Sequence, residues 1–345
     1  MKRELNCYQG CIIGGAIGDA LGLPVEFLSL AEIQRHYGDQ GITDLVPGAG
    51  GKALISDDTQ MTMFTAEGIL RAVARGTERG VCQITSVVHN AYLRWLETQG
   101  YNTHLDEADG WLIKVRALHS RRGPGSTCLS ALASGQQGTM EEPLNNSKGC
   151  GGVMRSAPVG LLYTRRRAFK LACECAALTH GHPSGYLSAG SLAHIIACIR
   201  EGMGLEDAVQ DALAELQKYK GHEECTEAVS KGLALAGENS SPQECIPQLG
   251  EGWVGEEALA IAVYCALKYR DNFRQGVIAA VNHNGDSDST GAITGNILGA
   301  LLGIEQIPQT WVETVELKDE LMELAEDMLI KYKDTGDWWE KYPGW

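Results

Sequence analysis

Two short acidic clusters stand far apart in the chain: Ser56-Asp57-Asp58-Thr59, ahead of a helical pattern from about Gln60, and Asp286-Ser287-Asp288-Ser289-Thr290, which opens directly onto another. A helix N-terminus explains one such residue, because Ser, Thr and Asp accept hydrogen bonds from the free N–H groups and suit the positive end of the dipole. Each cluster instead offers two carboxylates and flanking hydroxyls, a density of hard oxygen donors that suits Mg²⁺, Mn²⁺ or Ca²⁺ rather than zinc. The second cluster matches the start of an EF-hand loop, with Gly291 at its sixth position, but Ile297 stands where the twelfth needs a bidentate Glu, and Thr290 replaces the preferred Asp or Asn at the fifth. It therefore needs ligands from elsewhere. The first cluster is the complement, and four carboxylates are enough for a pair of metal ions about 3.5–4 Å apart.

Two glycine-rich loops lie between the clusters. Arg121-Arg122-Gly123-Pro124-Gly125-Ser126-Thr127 and Ser147-Lys148-Gly149-Cys150-Gly151-Gly152 could each present backbone N–H groups to a phosphate. Neither fits a P-loop or the GxGxxG of a dinucleotide fold, and most glycine-rich turns are only turns. In Thr179-His180-Gly181-His182-Pro183 the plain expectation is one capping and one core histidine, since neither has a zinc-like partner.

Periodicity is helical nearly everywhere, with patterns at 58–75, 83–98, 126–135, 168–179, 182–201, 205–218, 255–269, 288–304 and 317–332 and no convincing alternating strands. Short loops rich in Gly, Pro and Asn separate them, and none has the length of a linker, so one all-α domain over 1–345 is expected. Glycines recur at 10, 14, 18 and 22, and again at 291, 295, 299 and 303, lining one face of each of two helices. An interior Gly costs about 1 kcal/mol relative to Ala, so the repetition needs a packing reason. A membrane GxxxG dimer is disfavoured by Asp19 and Asn296, which interrupt the apolar runs. Packing of the two glycine faces against each other is expected, and it would bring the region of Glu26 near Asp286.

Lys plus Arg number 29 against 44 Asp plus Glu, a formal net charge of -15 that argues against a nucleic-acid backbone as partner. Eleven cysteines, without a CxxC pair, read as reduced and mostly buried thiols. The N-terminus lacks the apolar run of a secretion signal and no stretch is long enough to span a membrane, which makes the cytoplasm the expected address.

The stretches GGAIGDALGLPVEF, SDDTQM, GPGSTCLSAL, SKGCGGVMRSAP, THGHP and NHNGDSDSTGAITGNILGA occur in this order, and as an ensemble they resemble the ADP-ribosylglycohydrolase family. The resemblance implies a compact orthogonal all-α domain whose central cleft holds two Mg²⁺ or Mn²⁺ ions. It implies hydrolysis of the bond joining ADP-ribose to a modified protein, with an arginine linkage ranked first. Carried over by position, Ser56, Asp57 and Asp58 would ligate one side of the metal pair and Asp286, Asp288 and Ser289 the other, with Asp288 as the bridge. Glu26, Asp58 and Asp288 would carry the catalysis, Glu26 by ligation or acid/base work. Ser147, Gly149, Cys150, Gly151 and Gly152 would hold the diphosphate and inner ribose, with Gly123 and Gly125 nearby and His182 closing the pocket. Cys150 departs from a position commonly occupied by Asn, which removes an amide that could contact ribose. A catalytic aspartate of one branch has no clear counterpart among Asp106, Glu107 and Asp109. The tail Trp338, Trp339 and Trp345 could form a partner surface or pin the terminus. A monomer is expected. A second class, a binding protein that neutralises an ADP-ribosylating toxin by covering its active site, is separated from the enzyme by Asp288→Ala: protection that survives the change favours occlusion.

Overall fold

A computed structural model describes residues 2–48, 50–103, 105 and 109–344. Among them are seventeen α-helices: α1 Lys2–Gly22, α2 Leu30–Tyr37, α3 Asp57–Arg79, α4 Ile84–Thr98, α5 Ser126–Ala133, α6 Ala157–Leu162, α7 Arg165–Ala177, α8 Pro183–Arg200, α9 Leu205–Leu216, α10 Glu223–Ala236, α11 Pro242–Cys245, α12 Gly255–Lys268, α13 Phe273–Val281, α14 Ser287–Leu302, α15 Gln309–Thr314, α16 Lys318–Ile330 and α17 Gly336–Lys341. The only β pairing among the described residues is two isolated bridges, Ala53 with Val315 and Gly149 with Val254. The fold is all-α, as the periodicity and the resemblance both imply. The helices α2, α6, α10, α11, α13, α15 and α17 add to those the pattern marks. Several announce themselves by their caps: Ser29 and Glu32 form a reciprocal capping box at α2, and Asn272 caps α13 by accepting from Gln275 N–H.

The centre is the antiparallel pair α1 and α14. A Cβ built on Gly10, Gly14 or Gly18 would overlap the backbone of Gly299, Gly295 or Gly291 respectively, and at Gly22 it would lie 2.5 Å from the Cα of Asp288. The glycine faces therefore pack in register, and any side chain there would meet a carbonyl or a Cα rather than a movable group. Both helices are buried on all sides from Tyr8 to Gly22 and from Ser287 to Ala300, as expected for apolar helices lacking a polar face. Asn296 is one of the two polar residues that interrupt the runs, and its Nδ2 donates to the Cys11 carbonyl at 2.8 Å, joining the pair. The other, Asp19, belongs to the site. Among the described residues no helix is long and apolar enough to cross a membrane.

Candidate metal centre

The register of α1 against α14 delivers the end of one helix to the start of the other. Past Gly22 the chain turns tightly, with Val25 and Glu26 N–H groups both donating to the Gly22 carbonyl at 2.9 and 3.0 Å and Phe27 held at φ 67°. That turn aims Glu26 at α14, and carboxylate oxygens of Glu26, Asp286 and Asp288 lie within 4.8 Å of one another. The sequence-based expectation that Glu26 approaches Asp286 is met.

Asp19, fully buried on α1, brings in the Ser56–Thr59 cluster. Its carboxylate accepts from Ser56 N–H at 3.0 Å, from Thr59 N–H at 3.1 Å and from the Thr59 hydroxyl at 2.5 Å. These are among the N–H groups that a helix N-terminus leaves free, so Asp19 caps α3 from outside and fixes where its first turn sits. Burial, and next the charge of Asp288, raise the Asp19 carboxyl to about 7. The α3 helix begins at Asp57 rather than near Gln60: Ser56 is itself the N-cap, and Asp57 and Asp58 occupy the first turn, where negative charge suits the dipole. Likewise Asp286 is the N-cap of α14, accepting from Ser289 N–H at 3.2 Å, with Ser287 and Asp288 in its first turn.

The loop before α5 lies over this turn. Asp57 N–H donates to the Arg122 carbonyl at 3.1 Å, while the Arg122 guanidinium donates to the Ile55 carbonyl at 3.0 Å and to Glu316 Oε1 at 3.0 Å. A Cβ on Gly123, at φ 71°, would stand 3.7 Å from both Asp57 Oδ1 and Glu26 Oε2, so this glycine flanks both carboxylates. Gly125 N–H donates to the Asp57 carboxylate. That N–H is among those the loop could present to a phosphate, and here it faces Asp57.

Electrostatics single out Asp288. Burial is the largest cause raising the carboxyls of Asp19, Glu26, Asp57, Asp58 and Asp286, and in all five the next is repulsion from Asp288. Glu26 is pushed up to about 9. Asp288 itself is raised by burial and held down by hydrogen bonds from its neighbours, Ser289 N–H at 2.9 Å among them. The residues present fit divalent cations. Asp58 Oδ2 is buried with no hydrogen-bond partner, and five carboxyls repelled by Asp288 surround it, an arrangement that a hard cation would relieve. Ser56 is tied to Asp288 by a side-chain hydrogen bond, and the Ser289 hydroxyl faces Cys150 Sγ at 3.6 Å.

The 147–152 loop borders the centre through Cys150, whose thiol donates to Asp286 Oδ2 at 2.8 Å. Cys150 thus touches an expected metal ligand rather than standing only on the ribose side. Gly149 N–H donates to Ser147 Oγ at 3.3 Å and Cys150 N–H to the Trp253 carbonyl at 3.2 Å. The 3₁₀ turn Cys150–Gly152 then begins, and the first N–H groups of a helical turn, here those of Gly151 and Gly152, have no acceptor within it. His182 N–H holds the loop by donating to the Ser147 carbonyl at 3.1 Å, and its ring accepts from Ser184 N–H as the N-cap of α8. His180 is the core histidine, its pKa lowered to about 3 by burial and by Arg155.

Asp106, Glu107 and Trp345 lie outside the described residues; Asp109 pairs with Arg71 at 2.8 Å, and Trp338 is buried against Tyr342. A cavity of about 780 Å³ lined by Cys82, Gln83, Arg166, Lys170 and Glu174 contains none of the expected site residues. Asp19 is the member of the carboxylate group that sequence reasoning missed. Its trace was an acid inside an otherwise apolar glycine-faced helix, which reads as an interruption until its partner is known.

With this geometry in place, the chain can be compared with known proteins. The ADP-ribosylglycohydrolase family model matches residues 2–337. The ADP-ribosyl-[dinitrogen reductase] glycohydrolase of Rhodospirillum rubrum is 25% identical over 322 residues, covering 90% of this chain and 90% of the relative. The ADP-ribosylarginine hydrolase Tri1 of Serratia proteamaculans is 26% identical, covering 95% and 80%. A solved structure described as an ADP-ribosylglycohydrolase-related protein complex superposes with a TM-score of 0.68 at 24% identity, over 96% of this chain and 99% of that one, and shares the fold.

Proposed function

The chain belongs to the ADP-ribosylglycohydrolase family, and on that premise we propose that it is a Mg²⁺- or Mn²⁺-dependent hydrolase that releases ADP-ribose from proteins modified on arginine. The observation that carries the proposal is the meeting of Glu26, Asp286 and Asp288 within 4.8 Å, beside the partnerless Asp58 Oδ2 and next to the 149–152 turn. A cluster of acids alone would hold a cation; the adjoining glycine turn adds a place for a diphosphate.

Ser56, Asp57, Asp58, Asp286, Asp288 and Ser289 would hold the two divalent cations, with Asp288 at the middle of the set. When bound, the ions supply charge for positioning ribose hydroxyls and for activating water. The chain's own groups do the rest. Gly151 and Gly152 N–H groups donate to the diphosphate, in a loop braced by the hydrogen bond from His182 to Ser147. Holding the sugar between that loop and the carboxylates fixes the scissile bond, and such positioning is worth several orders of magnitude in rate. Carboxylates around the anomeric carbon offset the positive charge that develops there as the bond to the acceptor lengthens. Glu26 borders the exposed Gly123, and burial and its neighbours give its carboxyl an affinity for a proton at neutral pH, so it is the group placed to pass a proton. Asp19 acts through α3 as a positioning residue.

The arginine linkage is supported by the activity after which the Serratia relative, an ADP-ribosylarginine hydrolase, is named. Proteins ADP-ribosylated on arginine or on serine, each incubated with the protein and Mg²⁺, test it: ADP-ribose should be released from the arginine-linked substrate first and fastest. Preference for the serine linkage would overturn the choice of acceptor, and release from neither would overturn the hydrolase reading.

A further inference from the structure

Among the described residues, two groups bring three ligand atoms of His, Cys, Asp or Glu within 4.8 Å of one another: the Glu26 group at the centre, and His194, Cys198 and Asp211. The second group lies on the α8–α9 hairpin. His194 and Cys198 are one turn apart on α8 and so share a face. The chain reverses through Gly202, at φ 94°, and α9 returns Asp211 to that face.

One oxygen, Asp211 Oδ2, is the focus. His194 Nε2 lies 2.7 Å from it and Cys198 Sγ 3.6 Å from it. The other ring nitrogen, His194 Nδ1, is buried without a partner, so the imidazole's polar engagement is all on the edge that faces Asp211. A tetrahedral zinc ion with Zn–S of ~2.3 Å and Zn–O of ~2.1 Å has an S···O edge of ~3.6 Å, which the Cys198–Asp211 separation matches. The corresponding N···O edge is ~3.4 Å, so an entering ion replaces the His194–Asp211 hydrogen bond and parts the two groups.

We propose that His194, Cys198 and Asp211 form a second metal site, for a zinc-class ion, with three protein ligands and a fourth position open to water. Imidazole, thiol and carboxylate are the donor set of zinc, in contrast to the all-oxygen set of the first centre. The site has an entry path: the Asp211 side chain is 41% exposed, while His194 and Cys198 are buried. Arg165 Nη1 also lies 3.2 Å from Asp211 Oδ2, and Arg165 is paired with Glu201 at 3.0 Å, so an entering ion takes over an oxygen that the guanidinium now shares. Burial and Asp211 push the Cys198 thiol up to about 12, so it carries its proton when no ion is bound. Binding forms the metal–sulfur bond and releases that proton to solvent. The ion pins α9 to α8, the helix whose cap, His182, braces the glycine loop. None of this rests on the hydrolase reading.

Cobalt(II) added to the metal-stripped, full-length protein is the test, since a thiolate ligand produces a sulfur-to-cobalt charge-transfer band and a tetrahedral site produces intense visible bands. Cys150, beside the first centre, is the other thiol that could give such a band, so C150S is the control. The expected result is a band in the wild type and in C150S, its loss in C198S, and its displacement by Zn²⁺. D211N, at a half-buried position on the surface of the hairpin, keeps the test open whatever becomes of C198S, and should weaken cobalt binding roughly tenfold or more. Absence of the band in the wild type, its persistence in C198S, loss in C150S alone, or unchanged affinity in D211N would each overturn the proposal.

Discussion

Replacing Asp288 by Asn should stabilise the metal-free protein and remove its response to metal. The oxygens of Glu26 and Asp286 lie within 4.8 Å of that of Asp288. At an effective dielectric constant of about 20, two full charges at that distance repel by about 3.5 kcal/mol. Proton uptake by the partners relieves part of this, at about 1.4 kcal/mol per pH unit of displacement, and one unit of such relief leaves about 2 kcal/mol to be regained when Asp288 becomes neutral. Asn keeps the Oδ1 that accepts from Ser289 N–H, so little else is lost. For 345 residues, an unfolding entropy of about 2.1 cal/mol/K per residue converts that gain to a Tm rise of about 3 °C. Saturating Mg²⁺, at about a hundred times its Kd, should stabilise the wild type by about 2.7 kcal/mol, or about 4 °C, and the variant hardly at all. Thermal melts in chelator and in Mg²⁺ should therefore reverse order: variant above wild type without metal, below it with metal. A variant that melts lower in chelator, or that gains as much from Mg²⁺ as the wild type, would refute the reasoning.

Three further outcomes are expected. Gly18→Ala places a Cβ against the Gly291 backbone, which cannot move aside, and should cost about 3 kcal/mol by urea denaturation, whereas Gly50→Ala, with nothing within 4 Å, should be nearly silent. Asp19→Asn should raise the Mg²⁺ concentration that half-activates the enzyme about tenfold while changing kcat at saturating Mg²⁺ much less, because Asp19 places the ligands without being one; a kcat loss with unchanged Mg²⁺ dependence would contradict that role. Folding raises the carboxyls of Asp19 and Glu26 to about 7 and about 9, so their contribution to stability is complete below the unfolded values near 4 and is lost as pH rises through those folded values. Metal-free protein should accordingly lose Tm between about pH 5 and 9, and Glu26→Gln should flatten the upper part of that profile.

The acidic clusters were legible because two carboxylates plus hydroxyls at one helix start exceed what a cap requires, and the second cluster's failed EF-hand pattern pointed to distant ligands. The glycine spacing was legible because its repeated cost has few explanations, and it correctly placed Glu26 beside Asp286. Other features depend on partners remote in the sequence. Nothing local says that Asp19 caps α3 across 40 positions, that Gly125 N–H goes to Asp57, or that the Cys150 thiol reaches Asp286. The short helices α6, α15 and α17 have too few turns for a periodic stripe, and α2 was readable only through its capping box.

The central claim is that the two acidic helix starts form one metal site that cleaves ADP-ribose from its acceptor. Its most direct test is ADP-ribose release from an arginine-modified protein by metal-stripped wild type and Asp288→Ala, before and after addition of Mg²⁺. The account predicts no release by either without metal, restored turnover for the wild type alone, and a helical circular dichroism spectrum for both. Turnover by Asp288→Ala near that of the wild type, or wild-type turnover indifferent to Mg²⁺ and chelator, would contradict it.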